Sequence, residues 1–200
     1  MNTGKLKRTA ASCDGFTLIE LLVVITIIAL LTGFAVFSLG AVNSNRLQVS
    51  AQTVIGELDI ARQRAVTRNA KQEVRLWKLP GQTGGAEVYR GIQIFEVRAD
   101  GTVNPAGRAK LLETGIRIEE DPALSNLFAQ TTQSAPYPGQ GNKTYIALRF
   151  HPDGSTDLAF DQRWFLTLQR AAGAGGATPE ANRFTIEVEP VLGTVRSFRP

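Results

Sequence analysis

The chain has 200 residues, enough for one sizeable domain with an attached segment, and a formal charge of +4. Residues 70–200 hold fifteen Lys and Arg against fourteen acids, and this near-neutral bulk argues against a protein that coats nucleic acid. Cys13 is the single cysteine and precedes the apolar run, so a chain beginning after it has neither a disulfide framework nor a Cys-ligated metal site. In chain order, Lys5, Lys7 and Arg8 lead through a short polar spacer to an apolar run from Phe16 to about Leu39. As a helix that run is about 36 Å long, against a bilayer core of roughly 30 Å. The positive flank is N-terminal, so the N-terminus is expected to stay cytoplasmic and the rest to be exported. A secretory signal peptide has an apolar core of about 7–15 residues followed by a small-x-small site. Here the run is longer and the small residue, Gly15, stands before it. An uncleaved signal anchor is the simplest alternative. A cut between Gly15 and Phe16 leaves Phe16 as a free amine four residues from Glu20, and residues i and i+4 share a helix face. A carboxylate inside the bilayer costs roughly 2.5–3.5 kcal/mol on insertion scales, so Glu20 needs a partner. Its own Phe16 amine, or that of a neighbouring helix, fits.

The segment "GFTLIELLVVITIIALL" resembles the N-terminus of type IV pilin-like proteins, with Gly15, Phe16, Thr17 and Glu20 all in place. The resemblance implies that a prepilin peptidase cuts after Gly15, that Phe16 is N-methylated, and that Glu20 pairs with a neighbour's N-terminal amine during filament assembly. Main pilin subunits often carry a proline past the middle of this helix. Phe37 occupies that region here, and Thr32-Gly33 is the softer point, since Gly costs about 1 kcal/mol against Ala in a helix.

Leu47, Ala51, Val54, Leu58, Ala61 and Ala65 then form one helical stripe, with Arg46, Gln52, Asp59, Arg62 and Thr67 largely off it. One helix from about Thr17 to Asn69 is expected, with Arg62, Arg64 and Arg68 on a solvated face. "ARQRAVTRNAKQEVRL" resembles the end of the long helix in the GspH/FimT group of pseudopilins, where an Ala-Arg-x-x-Ala-x-x-Arg-Asn phrase runs into a strand.

After Asn69 the period changes to two. "QEVRLWKL" places Val74 and Leu76 on one face, and "GIQIFEVRADGTV" places Ile92 and Ile94 before an Asp100-Gly101 turn. "GIRIEE" is short. "TYIALRFHPDGST" runs into a Pro-Asp-Gly turn. "RWFLTLQR" and "RFTIEVEPVLGTVRSF" close the domain, the last pair turning at Leu192-Gly193. The expected fold class is α+β, a long helix packed on an antiparallel, sandwich-like β domain. The domain reading is a basic leader at 1–15, a transmembrane assembly helix at 16–39, its amphipathic continuation at 40–69 and a periplasmic β-rich domain at 70–200. Residues 121–143 and 171–182 read as long loops. In the first, Leu127, Phe128 and Tyr137 serve either as partner contacts or as cover for the core.

Catalytic chemistry is sparse. His151, the single histidine, flanks the Pro152-Asp153-Gly154 turn, and a multi-His zinc site fails on inventory. Asp153, Asp157 and Asp161 lack an EF-hand pattern. No metal, cofactor or enzymatic activity is expected. The resemblance implies a minor pseudopilin of the type II secretion system, of the H type, in a periplasmic filament with other pseudopilins. Its further partners are the prepilin peptidase, the inner-membrane assembly platform and membrane lipid. A minor type IV pilin is one alternative. A DNA-binding tip pilin is another, with Arg183, Arg196 and Arg199 as its contacts. The domain charge argues against nucleic acid.

Overall fold

The computed structural model describes residues 17–81, 85–171 and 182–199, with the stretch 33–44 described by its backbone alone. The chain divides between Val42 and Asn43 into two compact units. A single helix, α1 (Leu18–Arg68), contributes to both. Its end is a Schellman-type cap. Asn69 takes φ 49°, Ala70 N–H reaches Ala65 O at 3.2 Å, and Asn69 N–H reaches Val66 O at 3.4 Å. Asparagine tolerates this left-handed position better than other non-glycine residues.

In the unit that begins at Asn43, the stripe Leu47, Ala51, Val54, Leu58, Ala61 and Ala65 is buried, as its spacing predicts. Two polar residues are buried with it. Ser50 Oγ accepts the Glu113 N–H at 3.0 Å, and Glu57 pairs with Lys110 at 2.6 Å.

The strands are β1 (Lys71–Pro80), β2 (Glu87–Val97), β3 (Val103–Pro105), β4 (Lys110–Leu111), β5 (Ile116–Ile118), β6 (Gln133–Tyr137), β7 (Gly141–Phe150), β8 (Trp164–Arg170), β9 (Phe184–Val188) and β10 (Val195–Phe198). They form one antiparallel sheet in the order β10-β9-β8-β5-β2-β1-β7-β6, with β3 and β4 paired to β2. The α+β class and antiparallel pairing stand, and the strands hydrogen-bond into one sheet that is buried on both faces of its centre. Val74, Leu76, Ile92, Ile94, Ile146 and Leu148 share the core with the helix stripe. On the other face Trp77, Leu79, Phe95, Tyr137, Tyr145 and Ala147 form a second core.

Sequence alternation marks that second face as polar because Glu73 and Arg75 lie on it. Both are buried. Glu73 accepts Arg75 Nε at 2.6 Å and Arg149 Nε at 2.8 Å. The Arg75 guanidinium stands 4.1 Å from the Phe95 ring centre and 4.4 Å from that of Tyr145. Aromatic faces and a carboxylate thus replace the water that burial removes. The β1–β2 register shifts between Trp77 and Lys78, leaving Gly91 opposite Trp77. A Cβ on Gly91 would lie 2.8 Å from Leu79 Cδ1 and 3.2 Å from Trp77 Cβ, so any larger residue there must push Leu79 aside within the packed cluster.

The stretch 121–143 is ordered, not a loose loop. It contains a 3-10 turn (Asn126–Ala129), the whole of β6 and the start of β7. Leu127 and Tyr137 are buried, and Phe128 packs on Tyr89 with ring centres 4.5 Å apart. These residues cover the core. The same stretch seals the exposed half of β8. Phe165 N–H donates to Asn126 Oδ1 at 2.8 Å, and Asn126 Nδ2 donates to Arg163 O at 2.6 Å. Thr167 N–H donates to Ser125 Oγ at 2.9 Å.

Removing one partner from a buried ion pair strands the other charge. Glu73→Ala is therefore expected to cost about 3–5 kcal/mol in urea unfolding followed by tryptophan fluorescence, whereas replacing both Glu73 and Arg75 with Leu costs far less. Burial, with help from the Glu120 carboxylate, pushes the Tyr89 phenol up to about 12. Burial likewise raises Tyr137 and Tyr145. A raised phenol means the folded state holds its proton more tightly, so stability is flat below the ordinary tyrosine pKa of about 10 and falls as pH rises from there through about 12. In a phenolate absorbance titration all three tyrosines should ionise later than free tyrosine, with Tyr89→Phe removing the Tyr89 contribution.

Candidate functional site

The N-terminal site begins at the helix cap. Gly15 and Phe16, the expected cleavage and methylation residues, lie outside the described residues. Thr17 opens α1. Its Oγ1 accepts the Glu20 N–H at 3.3 Å, and its carbonyl accepts the N–H groups of Glu20 and Leu21 at 3.1 and 3.2 Å. Thr17-x-x-Glu20 is thus a capping-box pattern, with Glu20 at the third helical position. There the exposed carboxylate also lies at the positive end of the helix dipole. The Thr-x-x-Glu spacing carries this capping signal in the sequence itself.

Behind Glu20, the large apolar side chains from Leu18 to Leu31 are exposed on every side of the helix. A helix apolar all round is built for lipid or for other helices. The expected 16–39 segment is described by side chain only as far as Thr32. Among the described residues no helix is long and apolar enough to cross a membrane.

The phrase from Ala61 to Asn69 has a direct structural meaning. Ala61 and Ala65 bring the helix backbone onto the core, and Asn69 caps the helix. The expected arginine face is solvated at Arg68 and half-buried at Arg62 and Arg64, and each arginine is tied to a different part of the β domain. Arg62 Nε donates to Leu192 O at 2.7 Å. Arg64 Nη1 donates to Ala106 O. Arg68 pairs with Glu96 at 2.9 Å. The close approach allowed by the two alanines puts these acceptors within reach of long side chains.

At the sheet edge, the register sets Phe198 opposite Thr185 and Arg196 opposite Glu187. Arg183 and Arg199 therefore share the open end of the β9–β10 hairpin, and Arg199 Nη2 donates to Asn182 Oδ1 at 3.1 Å. Arg196 lies further along β10, at the register position opposite Glu187. The expected 171–182 loop lies mostly outside the described residues. Of the acids Asp153, Asp157 and Asp161, the first two accept hydrogen bonds from the protein. Asp153 Oδ1 accepts the Ser155 N–H and Oγ–H at 3.0 and 2.7 Å, which holds its carboxyl below the usual range. Asp157 Oδ1 accepts the Arg149 N–H at 2.9 Å. His151 N–H bonds Ser155 O at 2.8 Å, closing the turn.

A family model described as the prokaryotic N-terminal methylation motif matches residues 11–36. No curated protein sequence matches the chain. Among solved structures, the minor pseudopilin EpsH from the type 2 secretion system of Vibrio cholerae aligns over 78% of this chain and 98% of its own, at 12% identity and a TM-score of 0.45. A second EpsH structure from Vibrio cholerae gives 15% identity, 78% and 96% coverage, and a TM-score of 0.45. The type IV minor pilin FimU of Pseudomonas aeruginosa gives 14%, 78% and 93%, and 0.48. At this identity and score the likeness carries nothing about function. The chain thus carries the prokaryotic N-terminal methylation motif at the start of a long helix, followed by an antiparallel sheet.

Proposed function

We propose that the chain is a minor pseudopilin of a type II secretion system, a structural subunit and a substrate of processing enzymes, not an enzyme itself. Prepilin peptidase removes residues 1–15, and Phe16 is N-methylated. The subunit waits in the inner membrane with its N-terminus cytoplasmic and its β domain periplasmic. The assembly platform then inserts it at or near the tip of a periplasmic pseudopilus, beside other pseudopilins. One observation carries this reading. The methylation motif at residues 11–36 contains Glu20, fixed in the first turn of a helix clad in exposed apolar side chains. A carboxylate with no other purpose in hydrocarbon is costly. Pairing with a neighbour's new N-terminal amine offsets that cost and sets one subunit's axial position against the next.

Loss of the leader also removes Cys13, leaving no thiol. The pilus subunits that the N-terminus resembles often close a C-terminal disulfide, so this favours secretion over a minor type IV pilin. The near-neutral charge of the domain disfavours the DNA-binding alternative.

The test is the intact and N-terminal peptide mass of the membrane-extracted protein, with and without the host prepilin peptidase. A chain starting at N-methylated Phe16 only when the peptidase is present is the expected result. Retention of Met1, or cleavage beyond residue 35, would remove the basis of the assignment.

A further inference from the structure

We infer that Arg90 is the floor of a recessed binding site for a carboxylate. The site belongs to the β domain and stands whether or not the chain enters a filament. Arg90 is only 8% exposed. Its Nη1 donates to Pro80 O at 3.1 Å. Among the described residues this is its one side-chain hydrogen bond, and no carboxylate pairs with it. Glu87, three residues away, pairs instead with Lys143 at 2.6 Å. The titratable group whose charge would reach the guanidinium is the Tyr137 phenol, which is neutral at ordinary pH.

Burial pulls the Arg90 guanidinium below its ordinary pKa. A lysine so placed could shed its proton, but a guanidinium stays charged. Charged side chains are almost never buried unless paired, because the hydration they lose must be replaced. Arg75, buried to a similar degree, shows the usual solution, with the Glu73 carboxylate and two aromatic faces around it. Arg90 has a single carbonyl.

The backbone holds Arg90 in place. Tyr89 lies opposite Lys78 and Gly91 opposite Trp77, so Arg90 is an extra residue with no partner on β1. Such a bulge re-aims a side chain, and bulges gather beside functional sites. Arg90 O accepts the Leu112 N–H at 2.8 Å. With the backbone fixed and Nη1 anchored, little ordering is left for a ligand to impose.

The ligand class follows from the donors that remain. Nε–H and Nη2–H form a side-on pair, and both still reach solvent. Two parallel N–H groups match the two oxygens of a carboxylate. With Lys143 already paired, one positive charge suits a monoanion better than a doubly charged phosphate. The carboxylate is either an acidic side chain of another subunit or a small free acid.

The test is urea unfolding of the full chain in detergent, followed by tryptophan fluorescence, in sodium acetate against equal sodium chloride. Acetate should raise the midpoint of the unaltered chain in a saturable way. Its apparent dissociation constant should weaken roughly tenfold or more in Arg90→Met, the loss expected for a charge-assisted hydrogen bond. In chloride, Arg90→Met should unfold at the same urea concentration as the unaltered chain or a higher one, because a cation without a counter-charge is gone. Arg90→Lys keeps the charge without the fork and should also lose most of the acetate response, which decides the matter if the Met variant does not fold. Equal acetate shifts in the altered and unaltered chains would overturn the inference. Where the acetate response is lost, reduced co-purification of other subunits with Arg90→Met assigns the natural carboxylate to a partner's side chain, and unchanged co-purification assigns it to a small free acid.

Discussion

The β domain depends on how closely α1 approaches the sheet. Ala51, Ala61 and Ala65 are fully buried where larger residues would hold the helix away. Small side chains at these points let Leu47, Val54 and Leu58 reach between the strands. The same approach brings sheet and turn acceptors within range of Arg62, Arg64 and Arg68. Packing along one side and polar ties along its flank therefore come from one stripe. Exposed ion pairs such as Arg68–Glu96 add little energy. Their part is to fix which turn lies against which turn of the helix.

The sheet's second face solves a different problem. A central strand buried on both sides ordinarily reads as a continuous apolar run, yet β1 carries Glu73 and Arg75. Each is the other's partner, and Phe95 and Tyr145 enclose the guanidinium. The edges are handled with equal economy of means. Ser125 and Asn126 supply side-chain hydrogen bonds where β8 lacks a neighbouring strand. At one end of the sheet Pro136 lies within the edge strand β6, which discourages further pairing there.

These particulars separate what was legible in the sequence from what was not. The helix stripe follows a period of 3.6 over eighteen residues and was readable to the residue, and the turns at Asp100-Gly101 and about Leu192-Gly193 were readable too. The arginine ties were not, because their acceptors are backbone carbonyls and a carboxylate brought close only by tertiary packing. The second core was hidden because Glu73 and Arg75 imitate a solvated face, and because an extra residue at Arg90 breaks the alternation of β2, putting Tyr89 and Ile92 on one face. The ordered 121–143 stretch has turn-like composition, and its role depends on an unpaired strand edge far away in sequence. At the N-terminus the reverse holds. The motif around Glu20 is local, so sequence carried nearly all of its meaning, and the structure added the Thr17 cap.

The proposed assembly turns on the Glu20 carboxylate acting between subunits and not within the helix. Glu20→Gln keeps a side chain of similar size that can still serve near the cap, but removes the charge. The most direct measurement is the amount of Glu20→Gln chain recovered in assembled filaments, beside its N-terminal mass. The account predicts a chain that is cleaved and methylated at Phe16 yet nearly absent from filaments. Normal incorporation of that variant would contradict it.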